Sequence, residues 1–189
     1  MMGFSFEKMN IEGAYIINSF FSEDNRGSFV KNFEKDIYEE HGIHFECNEF
    51  FISHSTKNVI RGMHFQLYHP QAKLVSVISG KVFDVIVDLR EESSTFGQWR
   101  GVYLSNENRT SLYIPRGCAH GFMSLSDDSI VSYNCDGKYD KETDTGILYC
   151  DPDIAVEWPI MDIKNAVLGS RDKKLMTFRE FKSNCKFTY

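Results

Sequence analysis

The sequence predicts an all-β chain, an antiparallel sandwich or barrel with a few short helices outside it. Two observations carry this. From about Asn48 onward, short runs of strand-forming residues recur, each bounded by Gly, Pro, Asn or Asp. No helical pattern alternates with them, as a parallel sheet would require.

Phe33 to Gly42 reads as the best early helix, with Phe33, Ile37 and Tyr38 on one face and Gly42 placed as a C-terminal cap. Leu74 to Ser79 is a short apolar run, and Gly80-Lys81 is a two-residue hairpin signal. Val82 to Leu89 follows, with Phe83, Val85, Val87 and Leu89 on one face and Asp84 and Asp88 on the other. Further strands are expected at Gly101 to Leu104, Ser111 to Ile114, His120 to Leu125, Ile130 to Cys135 and Gly146 to Tyr149. Beyond Trp158 polarity rises, and helix or coil packed on the outside is expected.

The chain of 189 residues fits one domain spanning 1–189. Such a chain is long enough to bury roughly 70% of its unfolded surface. The formal charge of -6 argues against a nucleic-acid partner, since phosphate backbones are met by clustered Lys and Arg. An anionic substrate needs a local basic pocket instead. No apolar stretch approaches the roughly 20 residues that span a bilayer, and the N-terminus lacks the parts of a signal peptide. A soluble, cytoplasmic protein without a membrane partner is the expectation.

Five scattered cysteines without CxxC spacing favour reduced thiols. None of the six histidines forms the His-x-His pair of metal-binding barrels, and neither G-x-G-x-x-G nor a P-loop occurs. No metal and no cofactor are expected.

The chemistry-bearing residues cluster in linked motifs. Arg61-Gly62-Met63-His64-Phe65-Gln66 precedes Lys73-Leu74-Val75, and Pro115-Arg116-Gly117-Cys118-Ala119-His120-Gly121-Phe122 follows. Asp24-Asn25-Arg26-Gly27, Val87-Asp88-Leu89-Arg90, Ser94 to Trp99, Glu157-Trp158-Pro159 and Arg171-Asp172 complete the set. In this order and spacing the motifs resemble the dTDP-4-dehydrorhamnose 3,5-epimerase family, from about Ile11 to Asp172. The resemblance implies a jelly roll of the cupin type, a homodimer and a nucleoside-diphosphate 4-keto sugar as substrate.

His64 lies three residues after Arg61, so regular alternation sends the two to opposite faces, and a bulge at Gly62 would bring them together. On the residues alone a histidine here is more often structural than catalytic; the resemblance reverses this, because the matching histidine is the general base. A free imidazole, with a pKa of about 6.5, suits that task. Asp172 alone reads as half of a solvated pair with Arg171, whereas its family match pairs with the base. Tyr133 fills a strand position, and its match is the general acid.

Lys73 and Arg61 read as surface cations, or inside a barrel mouth as groups offsetting charge on a sugar oxygen or a phosphate. By resemblance Lys73 and His120 serve the sugar, Arg26 and Arg61 the diphosphate, and Tyr139 the nucleotide base. Phe29 and Arg171 belong to the substrate-binding set on the same ground.

Departures from the family fall at binding positions. Its Gln-x-Asn aligns with Glu49-Phe50-Phe51, an acidic residue aligns with Lys31, and a later Glu aligns with the shorter Asp144. An ammonium only donates, so a site-facing Lys31 would favour a CDP- or GDP-linked sugar over a dTDP-linked one. A single-carbon epimerase, a 3,4-ketoisomerase and a non-catalytic sugar-nucleotide barrel are the alternatives. Tyr133 opposes the ketoisomerase, because a one-face proton shuttle needs no opposing acid.

Overall fold

The computed structural model describes residues 3–189. Two mainly antiparallel sheets face one another. The first takes β1 (Ser5–Lys8), β2 (Tyr15–Asn18), β5 (Cys47–Ser55), β7 (Ala72–Ser79), β10 (Thr110–Ile114) and β12 (Ser129–Asp136) in the order β1-β2-β10-β7-β12-β5. The second takes β6 (Val59–Gln66), β8 (Lys81–Asp88), β9 (Trp99–Ser105), β11 (Cys118–Ser124) and β13 (Asp144–Gly146) in the order β13-β6-β11-β8-β9. A short β14 (Val167–Leu168) pairs with β6 in parallel, and β3 (Phe20–Asp24) with β4 (Gly27–Lys31) forms a separate hairpin. This is the expected jelly-roll architecture.

The alternation seen in the sequence divides the interior into three apolar layers. Val75 and Val77 of β7 meet Val82 and Ile86 of β8 and Phe122 of β11 between the sheets. Phe83, Val85, Val87 and Leu89 point the other way, under Trp158 and the helix α2 (Phe178–Asn184). Leu74 and Tyr113 lie under Tyr38, Ile43 and Phe45 on the outside of the first sheet. Both faces of β8 are therefore covered, and its Asp84 and Asp88 are fully buried.

Gly80-Lys81 does not make a hairpin. β7 and β8 lie in different sheets, and the chain turns at Gly80 (φ 77°) from one layer to the other. The physical reason is that both runs carry a face of the same core, which they share across the sandwich rather than edge to edge. The early helix is α1 (Lys35–Glu40), shorter than expected, because Glu34 is extended. Tyr38 is its buried residue, and Gly42 follows the cap with φ 75°. The strand expected from Gly146 begins and ends earlier, as β13; Ile147 still exchanges backbone hydrogen bonds with Met63. The region beyond Trp158 holds short 3-10 turns, β14 and α2, the last opened by a Thr177/Glu180 capping box. Among the described residues no helix is long and apolar enough to cross a membrane.

Candidate active site

A cavity of about 330 Å³ opens between the sheets, lined by Phe51, Ser53, Arg61, His64, Lys73, His120, Phe122, Tyr133, Gly169 and Asp172. That volume lies near the small end of ligand pockets, roughly 300–1,000 Å³. Larger depressions of about 490 and 590 Å³ lie beside the C-terminal tail and the Cys150–Ile163 segment, and neither is lined by a histidine.

The β6 strand delivers Arg61 and His64 to the cavity together. His120 pairs with His64, yet Phe122 pairs with Arg61, so β6 holds one residue more than β11 between those rungs. Gly62 sits in this bulge at φ 118°, and a Cβ there would lie 2.6 Å from the Gly121 Cα and from the His120 carbonyl oxygen. The bulge thus cancels the alternation that would have separated the two side chains.

Asp172 arrives at the start of a 3-10 turn, Asp172–Lys174. Its Oδ1 lies 2.8 Å from His64 Nε2, and its Oδ2 accepts the Gly62 backbone N–H at 3.2 Å. Burial raises the Asp172 carboxyl, but bonds from His64 and Gly62, with the nearby Arg171 charge, outweigh it and hold the group below the usual carboxylate range. An ionised Asp172 fixes the imidazole with hydrogen on Nε2, which leaves Nδ1 as the basic nitrogen.

Tyr133 stands on β12 in the facing sheet, its hydroxyl 3.3 Å from Ser53 Oγ. Burial pushes the phenol well above its ordinary value, so it holds its proton at neutral pH. Lys73, on β7, makes no hydrogen bond or ion pair among the described residues, and desolvation lowers its ammonium. A cation so placed is ready for a substrate oxygen.

His120 points its Nε2 at both oxygens of Asp84, 2.9 and 3.0 Å away. Burial raises the Asp84 carboxyl, and the His120 and Lys73 charges pull against it. Asp84 had been read only as one residue of a strand face. The signal available in the sequence was a carboxylate in the middle of an apolar run, which a fold buries only with a partner. Ser53, Phe122 and Gly169 were not singled out either.

At the next position outward, Tyr139 donates its hydroxyl to Asp144 Oδ2 at 2.9 Å, and the same oxygen lies 2.7 Å from Arg171 Nη1. Glu49 does not line the cavity; its carboxylate accepts the Tyr139 N–H at 2.9 Å and the Gln71 amide at 3.2 Å, which secures the Tyr139 loop. Arg61 is half anchored by Ser55 Oγ and the His54 carbonyl, both at 3.0 Å. Arg26, Phe29 and Lys31 are not brought to this cavity. Arg26 pairs with Asp24 on the exposed β3–β4 hairpin beside Phe29, and Lys31 pairs with Glu34 over the Phe20 ring.

Residues 8–180 match the family model described as dTDP-4-dehydrorhamnose 3,5-epimerase. The chain belongs to the dTDP-4-dehydrorhamnose 3,5-epimerase family. It is 43% identical to the enzyme of that name from Methanothermobacter thermautotrophicus, over 95% of this chain and 97% of the relative. A solved structure from Legionella pneumophila, a dTDP-6-deoxy-D-glucose-3,5-epimerase in complex with dTDP-4-keto-L-rhamnose, superposes with a TM-score of 0.92 at 36% identity, covering 99% of this chain and 100% of that one. A 3'-monoepimerase from Streptomyces bikiniensis in complex with dTDP-quinovose gives a TM-score of 0.85 at 30% identity, over 93% and 88% of the two chains. That monoepimerase thus shares the scaffold of this chain.

Proposed function

We propose that this protein is a cofactor-independent epimerase that inverts C3, C5 or both beside the C4 ketone of a nucleoside-diphosphate 4-keto-6-deoxy sugar. The observation that carries the reading is the placement of His64 and Tyr133 on facing sheets around one cavity. Inversion requires a proton to leave one face of a carbon and another to arrive on the opposite face. A base and an acid from opposed walls meet that requirement, which a one-face ketoisomerase does not have. A binding barrel would need neither group.

His64 Nδ1 takes the proton from the carbon next to the ketone, and the C–H electrons move onto the ketone oxygen. Lys73, with His120 beside it, offsets the negative charge of that enolate. Tyr133 then gives its proton to the carbon from the other side, and solvent restores the phenol and the neutral imidazole. Asp172 keeps the imidazole oriented and balances its charge while it is protonated.

The nucleotide we assign is dTDP, by kinship with the relatives named above; Lys31, held by Glu34, gives no support to a CDP or GDP sugar within this chain. A homodimer is part of the reading, because Arg26 and Phe29 lie away from this chain's cavity on an exposed hairpin, within reach of a neighbouring copy. So is a cytoplasmic location. The test is incubation with dTDP-4-keto-6-deoxyglucose in deuterated water without added cofactor. Deuterium at C3, C5 or both in an inverted product is expected; no exchange at either carbon overturns the proposal.

A further inference from the structure

Phe51 is paired directly with Tyr133 across β5 and β12. The two rings stack, with centroids 4.6 Å apart and planes 16° from parallel. Phe51 remains 47% exposed although it is on the inward face of its strand, so one side of the ring covers the phenol and the other is open. On its remaining sides Tyr133 meets His120 edge-on at 6.0 Å and Ser53 Oγ at its hydroxyl. Ser53, two residues from Phe51, shares that face of β5.

We infer that Phe51 is a positioning residue for the acid: its ring clamps Tyr133 in the orientation that delivers a proton to the face opposite His64, and excludes water from the phenol. An offset-stacked aromatic contact is favourable beyond its area burial. Such a clamp selects one orientation of a side chain that has few others. It is the neighbour that covers the flat face of Tyr133 among the aromatic contacts present, since His120 reaches it only edge-on. The phenol's raised pKa accords with a dry, apolar flank.

The inference rests on the epimerase reading, and the experiment separates the two. Phe51→Ala, Phe51→Tyr and wild type are compared for deuterium exchange and for inversion on the same 4-keto sugar nucleotide. Phe51→Ala is expected to lower inversion about tenfold while exchange, which needs only His64, falls less than threefold; Phe51→Tyr, which keeps a stacked ring, restores the wild-type ratio. A purely structural role would lower both together and leave their ratio constant. In parallel, the ring-proton NMR signals of specifically labelled Tyr133 should shift in Phe51→Ala and stay near their wild-type positions in Phe51→Tyr. Normal wild-type turnover with an unchanged inversion-to-exchange ratio in Phe51→Ala overturns the inference alone, as does an unmoved Tyr133 signal. Wild-type protein with no exchange on any 4-keto sugar nucleotide overturns the function and this role with it.

Discussion

Asp172 and His64 are 108 positions apart in sequence and 2.8 Å apart in space, joined by a carboxylate-to-imidazole bond. The second carboxylate oxygen takes the Gly62 N–H, so one side chain orders both the base and the bulge that presents it. The dyad ties the 3-10 turn near the C-terminus to the strand that carries the proposed base.

That bond makes stability depend on acid in a defined direction. Asp172 is held below its unfolded value of about 3.9, so its contribution is fully present above that pH and is lost as pH falls through the depressed folded value. Urea midpoints of wild type and Asp172→Asn should differ above pH of about 4, and converge as pH falls below it. A difference independent of pH down to 3 would show that the carboxylate is not ionised by preference in the folded state.

His64→Asn should reduce deuterium wash-in at every carbon by about 10²–10⁴-fold, the usual contribution of a positioned base. Nucleotide binding should remain, because the cations of the cavity are untouched. Exchange at the wild-type rate removes His64 from the mechanism.

Much of this site was legible through the resemblance of its linked motifs to a known family, since on the residues alone His64, Tyr133 and Asp172 read as structural or surface positions. Arg61, His64, Lys73, His120, Tyr133 and Asp172 all reach one cavity, and a bulge at Gly62, needed if Arg61 and His64 were to share a face, is present. What could not be read was partnership between distant strands. Asp84 becomes a site residue only because β8 lies beside β11 and sets it under His120. Glu49 was expected to meet substrate, and its bonds reach instead to Tyr139, 90 residues away, and to Gln71, 22 residues away. Gly80-Lys81 failed for a related reason: local turn chemistry reports a reversal of direction, not which sheet receives the next strand.

Gly62→Ala should be strongly destabilising and inactive. The added Cβ meets backbone on β11 at 2.6 Å, where no flexible side chain can yield, and alanine is strained at φ 118°. A loss of about 2–4 kcal/mol is expected from backbone strain plus overpacking. Chemical denaturation measures it, and a variant within 0.5 kcal/mol of wild type (about the scatter of neutral surface changes) would mean that the bulge is not constrained by this contact.

Activity should survive dialysis against EDTA. The two cavity histidines each commit Nε2 to a carboxylate, His64 to Asp172 and His120 to Asp84, and among the described residues no three His, Cys, Asp or Glu groups gather as a metal's ligand set must. Loss of turnover in chelator that one divalent metal restores would overturn the metal-free mechanism.

Tyr133→Phe deletes one hydroxyl and leaves the stacked ring in place, so it isolates proton delivery from packing. His64 can still take a proton and return it, or its solvent-exchanged replacement, to the same face. Exchange without inversion should therefore persist at a substantial fraction of the wild-type rate, while inverted product falls by about 10²-fold or more, the size expected for loss of a general acid. Time courses in deuterated water distinguish the outcomes, because returned substrate gains deuterium with retained configuration. Substrate recovered with deuterium but unchanged stereochemistry is the predicted signature. If inversion and exchange decline in parallel, or neither declines, the proton on the second face comes from a group other than Tyr133, and the assignment of the facing sheets as base wall and acid wall fails with it.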